Sequence, residues 1–149
     1  MLDLNITAGK IGEFPPVTKP HPGFWHEVQE ERFRELVDDH YEMIRESDIA
    51  NLFPVDDEDF AEAKKHAADF LIQICGGPNY FEQTRGEARV VGRHAPFRID
   101  EEGRQTWLRL YSYLLPDLVD EGITEEYVQS FWNYLDLHSI WMINTPSRG

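Results

Sequence analysis

Apolar residues fall on a helical period through most of this chain and sustain an alternating period nowhere. From about Trp25 to Glu46, Val28, Phe33, Leu36, Val37, Tyr41 and Ile44 recur at steps that gather them on one helix face. Ser47-Asp48 interrupts the pattern, and Leu52-Phe53-Pro54 closes a short connector. A second stripe runs through Phe60, Ala63, Ala67, Phe70, Leu71 and Ile74. The acidic run Asp56-Asp57-Glu58-Asp59 precedes it, and carboxylates in a first turn favour the helix dipole. Gly76-Gly77-Pro78 ends it. Residues 79–90 show no clear period. Asp100 can cap a third helix whose inner face carries Trp107, Leu110, Tyr111 and Leu114 and which stops at Pro116. Thr124 can cap a fourth, with Val128, Phe131, Leu135, Ser139 and Met142 on one stripe ahead of Pro146. Residues 1–23 hold Pro15, Pro16, Pro20 and Pro22 with little periodicity and read as an extended, mobile arm. No internal repeat is visible, so the expectation is an all-α fold in one domain over 24–149.

Charge narrows the partners. Twenty-eight acidic residues against 14 basic ones give a formal net charge of −14, and no Lys/Arg-dense segment offsets them. Broad contact with nucleic acid or an anionic membrane surface is therefore not expected. Cys75 is the only cysteine, so no intrachain disulfide can form and a reducing compartment is permitted. There is no basic start followed by an apolar run, and no apolar stretch approaches the roughly 20 residues that cross a bilayer. These features lead to the expectation of a cytoplasmic protein.

The densest chemistry lies in Val91-Gly92-Arg93-His94-Ala95-Pro96-Phe97-Arg98-Ile99, with Trp107 beyond it. Pro96 restricts Ala95 and stops a helix there, which holds the His94 imidazole at a helix end. A neutral imidazole so held suits the axial position of a haem iron. Arg93 and Arg98 offer guanidinium groups to two propionate carboxylates. Taken alone, any one of these residues reads as ordinary: a lone histidine usually packs, and Tyr41 and Trp107 on helical stripes usually fill a core. Other metal readings are weaker. Glu62 and His66 share a helix face, but the paired Glu-x-x-His motifs of a di-iron bundle are absent. No Cys-x-x-Cys-His occurs, which excludes covalent haem attachment by that motif. Cys75 reads as a small packing residue.

Several motifs in order resemble the truncated haemoglobins, most closely their group II, over roughly residues 33–146. They are Tyr41, Phe53-Pro54, Phe70, Gly76-Gly77-Pro78, Arg85-Gly86, Arg93-His94-Ala95-Pro96-Phe97-Arg98-Ile99, Trp107-Leu108 and Asn144-Thr145-Pro146. The resemblance implies a two-over-two helical sandwich around one non-covalently held b-type haem, with His94 as the proximal iron ligand. It makes Tyr41 and Trp107 the distal residues that reach a bound diatomic. Ala63 and Ala67 take the distal positions where some relatives carry histidine or glutamine. Phe53, Phe70 and Phe97 would pack against the ring, and His66 would sit near a propionate. Phe81 stands where relatives often carry a propionate-binding tyrosine, so the adjacent Tyr80 is the candidate for that contact. His40, beside Tyr41, is expected only to pack near the haem edge.

Two hydrogen-bond donors facing a polarised ligand imply tight oxygen binding and slow release. The expected role is then ligand chemistry, such as nitric oxide or peroxide detoxification, or sensing, rather than delivery. Carbon monoxide and similar small ligands would also bind. Turnover would need a separate reductase, since the chain has no flavin or nicotinamide fingerprint. A monomer or a homodimer is expected. The competing reading is a cofactor-free acidic helical module that binds a protein partner and is colourless.

Overall fold

The structure, a computed structural model, describes residues 1–147, so the last two residues of the expected domain lie outside the described chain. Among the described residues the fold has six α-helices: α1 (Pro22–Arg45), α2 (Asp57–Ile74), α3 (Tyr80–Arg85), α4 (Val90–His94), α5 (Glu101–Asp120) and α6 (Glu125–Ile140). A 3-10 turn at Ala50–Leu52 joins α1 to α2, and no strand occurs among the described residues. α1 packs on α2, α5 and α6, and α5 packs along α6. The long helices form two stacked pairs, α1 with α2 and α5 with α6, which is the two-over-two arrangement the sequence led us to expect.

The α1 stripe is the centre of the core. Val28, Phe33, Leu36, Val37, Tyr41 and Ile44 are all buried, joined by Phe24 and His40. The expected single helix is bent, however. Gln29 has φ 64° and ψ 171°, and its side-chain amide donates to the His26 carbonyl at 2.6 Å. A positive φ is uncommon for glutamine and marks a break in the helical path. Ahead of the break, Phe24 stacks on Phe131 of α6 at 4.5 Å; beyond it, Phe33 meets the same ring edge-on at 5.8 Å. Gly23 lies directly under the Tyr127 ring, where a Cβ would collide.

Asp56 caps α2 by accepting from the Asp59 N–H at 3.0 Å, and Gly76, at φ 97°, ends that helix. Residues 79–90, which show no period, contain the short α3 and lead into α4; six and five residues are too few to display one. α5 runs past Pro116 to Asp120 rather than stopping there. Pro116 is exposed while Leu115 and Leu118 are fully buried, so the missing N–H falls on the solvent side and the buried face holds the helix together. Thr124 stands at the α6 N-cap, but its hydroxyl donates to Glu27 at 2.9 Å instead of capping.

The N-terminal arm is docked along α6 by hydrogen bonds. Thr7 donates through its N–H and hydroxyl to Asp136 of α6 at 2.9 and 2.7 Å, and the Gly9 N–H donates to Glu101 at 2.8 Å. Arg104, only 2% exposed, ties these together by donating to the Thr7 carbonyl, Glu101, Ser139 and Asp136. Indole N–H groups of Trp132 and Trp141 donate to the Asn5 and Pro15 carbonyls, so the arm follows α6 along much of its length.

Candidate functional site

Between the two helix pairs lies a largely apolar cavity of about 580 Å³. That is within the range of cofactor and small-ligand sites. α1 contributes Tyr41 and His40, the connector Phe53, and α2 Ala63, His66, Ala67 and Phe70. α5 adds Trp107 and Tyr111, the α3–α4 region Phe81, Arg85, Arg93, His94 and Phe97, and α6 Tyr134 and His138. Most of the α2 stripe therefore faces this cavity: Ala63, Ala67 and Phe70 form a wall together with the buried Leu71, whereas Phe60 belongs to the core.

His94 ends the five-residue α4. Its Nδ1 lies 2.7 Å from the Val90 carbonyl, one turn back in the helix. A carbonyl only accepts, so Nδ1 carries a proton, and in that neutral tautomer the lone pair is on Nε2. That Nε2 has no hydrogen-bond partner among the described residues. The segment is fastened from the C-terminal side by Asn144. Its Nδ2 donates to the His94 carbonyl at 3.3 Å and its Oδ1 accepts from the Ile99 N–H at 2.9 Å. The N–H groups of Asn144 and Thr145 donate in turn to the Ile99 carbonyl. Arg93 braces the loop before α4 by donating to the Ala88, Arg85 and Glu87 carbonyls at 2.7, 2.8 and 3.0 Å.

Across the cavity the Tyr41 ring is wedged edge-on between Phe53 at 5.4 Å and Phe60 at 5.5 Å. Burial pushes its phenol pKa up, which keeps the O–H protonated. Neither the Tyr41 hydroxyl nor the Trp107 indole N–H has a hydrogen-bond partner among the described residues. The same holds for the Tyr111 hydroxyl, whose pKa is raised by burial and by its neighbours Tyr41 and Cys75. Trp107 and Tyr111, one turn apart on α5, meet edge-on at 5.2 Å. His66 has Nε2 3.3 Å from Glu62 and a buried Nδ1 without a partner; burial and the nearby Arg85 guanidinium lower its pKa.

Ten of the sequence-predicted residues thus line one space: Tyr41, Phe53, Ala63, His66, Ala67, Phe70, Arg93, His94, Phe97 and Trp107. Two do not. The Tyr80 hydroxyl donates to Glu30 at 2.7 Å, outside the cavity, while its neighbour Phe81 turns inward. Arg98 is exposed and absent from the lining. Arg93 lines the wall, but its guanidinium is engaged by three carbonyls. The reading from sequence missed Tyr111, Tyr134, His138 and Arg85 as lining groups. Tyr111 follows Trp107 by one turn, and His138 follows Tyr134 likewise and stacks on it at 4.9 Å; that spacing was the available signal.

The residues present fit a haem. The cavity is apolar over most of its wall, an imidazole whose Nε2 has no partner among the described residues stands in it, and the Arg85 guanidinium and the His66 imidazole supply hydrogen-bonding partners for carboxylates. A helical sandwich enclosing such a cavity is the architecture of a globin. Residues 28–141 match the bacterial-like globin family. A group 2 truncated haemoglobin of Bacillus subtilis is 29% identical over 118 residues, covering 78% of this chain and 85% of that protein. Among solved structures, phosphate-bound Hell's gate globin IV superposes with a TM-score of 0.84 at 35% identity, covering 96% of this chain and 88% of that one. The group II truncated haemoglobin of Bacillus anthracis gives 0.74 at 26% identity, covering 88% and 97%. The chain belongs to the bacterial-like globin family and is a group II truncated haemoglobin, a haem-binding globin whose family binds small gaseous ligands. Among the described residues, no helix is long and apolar enough to cross a membrane.

Proposed function

We propose that the cavity holds a b-type haem without covalent attachment, that His94 Nε2 is its iron ligand, and that the protein serves ligand chemistry or sensing rather than oxygen delivery. One observation carries the reading: His94 spends its Nδ1 proton on the Val90 carbonyl and presents an unpartnered Nε2 in a cavity of about 580 Å³. When bound, the haem supplies an iron that coordinates small diatomic ligands.

The chain's own residues do the rest. Tyr41 and Trp107 donate an O–H and an N–H to a polarised ligand; a hydrogen bond to a charged acceptor is worth about 1.5–3 kcal/mol. Ala63 and Ala67 add no competing polar group and leave room for larger ligands such as peroxide. Phe53, Phe70 and Phe97 give the ring apolar surfaces, while His66 and Arg85 face carboxylates. Tyr80 and Arg98 have no part in this arrangement. Two donors slow ligand release, which suits detoxification of nitric oxide or peroxide better than transport. Such turnover takes electrons from a partner reductase, and we place the protein in the cytoplasm as a monomer or homodimer.

The test is the absorption spectrum of haem-loaded protein in ferric, dithionite-reduced and carbon-monoxide-bound forms, beside His94→Ala. A Soret band that shifts on reduction and sharpens with carbon monoxide, and that is altered or lost in the variant, is expected. An unchanged spectrum in the variant would remove His94 from the iron.

A further inference from the structure

His40 carries a bond whose purpose the ligand reading leaves open. It is fully buried and sits among three aromatic rings: stacked on Tyr111 at 3.6 Å, edge-on to Trp107 at 5.3 Å and to Tyr41 at 6.2 Å. Its Nε2 lies 3.0 Å from the Trp107 carbonyl. The carbonyl can only accept, so Nε2 carries the proton and Nδ1 is left as an acceptor. That Nδ1 is buried with no partner. An unmet buried acceptor is a standing cost, and an apolar ring in its place would avoid it. The Trp107 carbonyl does not need His40 either. It lies inside α5, where the helical ladder already offers it the Tyr111 N–H. The fold keeps a costly histidine for a bond that rescues no unsatisfied group. What that bond does is tie α1 to α5 at the two residues that bear the distal donors: Tyr41 adjoins His40 in the chain, and Trp107 owns the accepted carbonyl.

We propose that His40 is a positioning residue of the ligand pocket, its Nε2–H bond to the Trp107 carbonyl and its stacking on Tyr111 fixing the separation and angle of the Tyr41 hydroxyl and the Trp107 indole N–H. The inference rests on the reading of Tyr41 and Trp107 as ligand donors. Hydrogen bonds weaken steeply with misalignment, so two of them converge on one small ligand only if their helices are held in register. An aliphatic or phenyl contact between α1 and α5 permits sliding; a directional N–H to a backbone carbonyl does not. Burial holds the imidazole neutral, its pKa pushed down to about 3, so the tether keeps its polarity across the physiological range.

The experiment compares haem-loaded wild type with His40→Phe, His40→Leu and His40→Gln, and with Tyr41→Phe and Trp107→Phe as references. Oxygen dissociation, the carbon monoxide stretching bands and the melting temperature are read on each. His40→Phe keeps a ring on Tyr111 and removes both the tether and the unmet acceptor; His40→Leu removes the same groups in a different shape. Both are expected to release oxygen at least about fivefold faster, a change of roughly 1 kcal/mol, with broadened or added carbon monoxide bands. His40→Phe should melt at or above the wild-type temperature. His40→Gln, whose amide N–H can donate to the same carbonyl, should stay within about twofold of wild type in oxygen dissociation. Unchanged dissociation and bands in both apolar variants, with a lowered melting temperature, would mean a merely structural histidine and would overturn the proposal. If Tyr41→Phe and Trp107→Phe also leave dissociation unchanged, the donor reading itself falls. If only the His40 variants are silent, that reading stands and the positioning role alone is lost.

Discussion

On the Tyr41 side of the cavity the chain runs in long helices sunk in the core, whereas on the His94 side it passes through two short ones, of which α4 buries nothing. α1 spans 24 residues and buries eight of them, from Phe24 to Ile44. α4 spans five, and its neighbour α3 buries only Phe81. The two walls are accordingly held by different forces. Tyr41, Trp107 and Tyr111 are fixed by interlocking rings and helix packing, an area-driven contribution that persists with or without a ligand. His94 is held by directed hydrogen bonds to backbone: its own Nδ1 to Val90, Arg93 to three carbonyls, and Asn144 to the chain on either side of Pro96. Segments with little buried apolar surface open locally at small cost. One wall is therefore held by buried apolar area, and the other, held by directed hydrogen bonds over little buried surface, is the one expected to loosen when the cofactor is removed.

The contrast is broken or sharpened most strongly by removing the haem. Amide hydrogen exchange in residues 86–98 is expected to rise about a hundredfold or more, the scale that saturating ligand lends to the segment it holds, while amides of α1 and α5 in the core change little. Equal acceleration on both walls would dissolve the distinction. Tyr41→Phe comes next. It removes one donor from the wall held by buried apolar area without touching His94, and oxygen dissociation should accelerate about tenfold to a hundredfold, the equivalent of about 1.5–3 kcal/mol. Stopped-flow release into carbon monoxide measures it, and an unaltered rate would take Tyr41 out of the account.

Over the first pH unit below 6.5, acid gives the smallest effect, about 1.4 kcal/mol, and it bears on the Tyr41 side alone. The folded His40 has its pKa lowered from 6.5 to about 3 by burial, so the unfolded chain binds the proton more readily. This contribution to stability is fully present above pH 6.5 and is lost as pH falls from there toward about 3, at about 1.4 kcal/mol per pH unit. Denaturant titrations of wild type and His40→Phe should run parallel above pH 6.5 and diverge below it, the variant losing stability less steeply. Parallel curves throughout would show that His40 is not held neutral by the fold.

Much of this was legible in the sequence, and the reasons differ by element. Every apolar residue named on the α1 stripe is buried, because a long amphipathic helix states its buried face directly. His94, Tyr41 and Trp107 line one cavity because motif order carries tertiary information that period alone does not. The bend at Gln29 left no trace, since glutamine has no preference for a positive φ. α3 and α4 are shorter than two helical turns and could not show a period. The docking of the arm depends on Arg104 and Asp136 meeting Thr7 across most of the chain's length, which local patterns do not record. Tyr80 and Phe81 were exchangeable on the page; Glu30 beside the Tyr80 hydroxyl decides which of them turns away from the cavity.

The most direct test of the central claim is the resonance Raman spectrum of the dithionite-reduced, haem-loaded protein in wild type and in His94→Gly, the latter with and without added imidazole. An iron–histidine stretching band in wild type, absent from the glycine variant and restored by imidazole, is the predicted result. The same band persisting in His94→Gly without imidazole would show that another side chain, such as His138 in the same cavity, holds the iron, and would contradict the account.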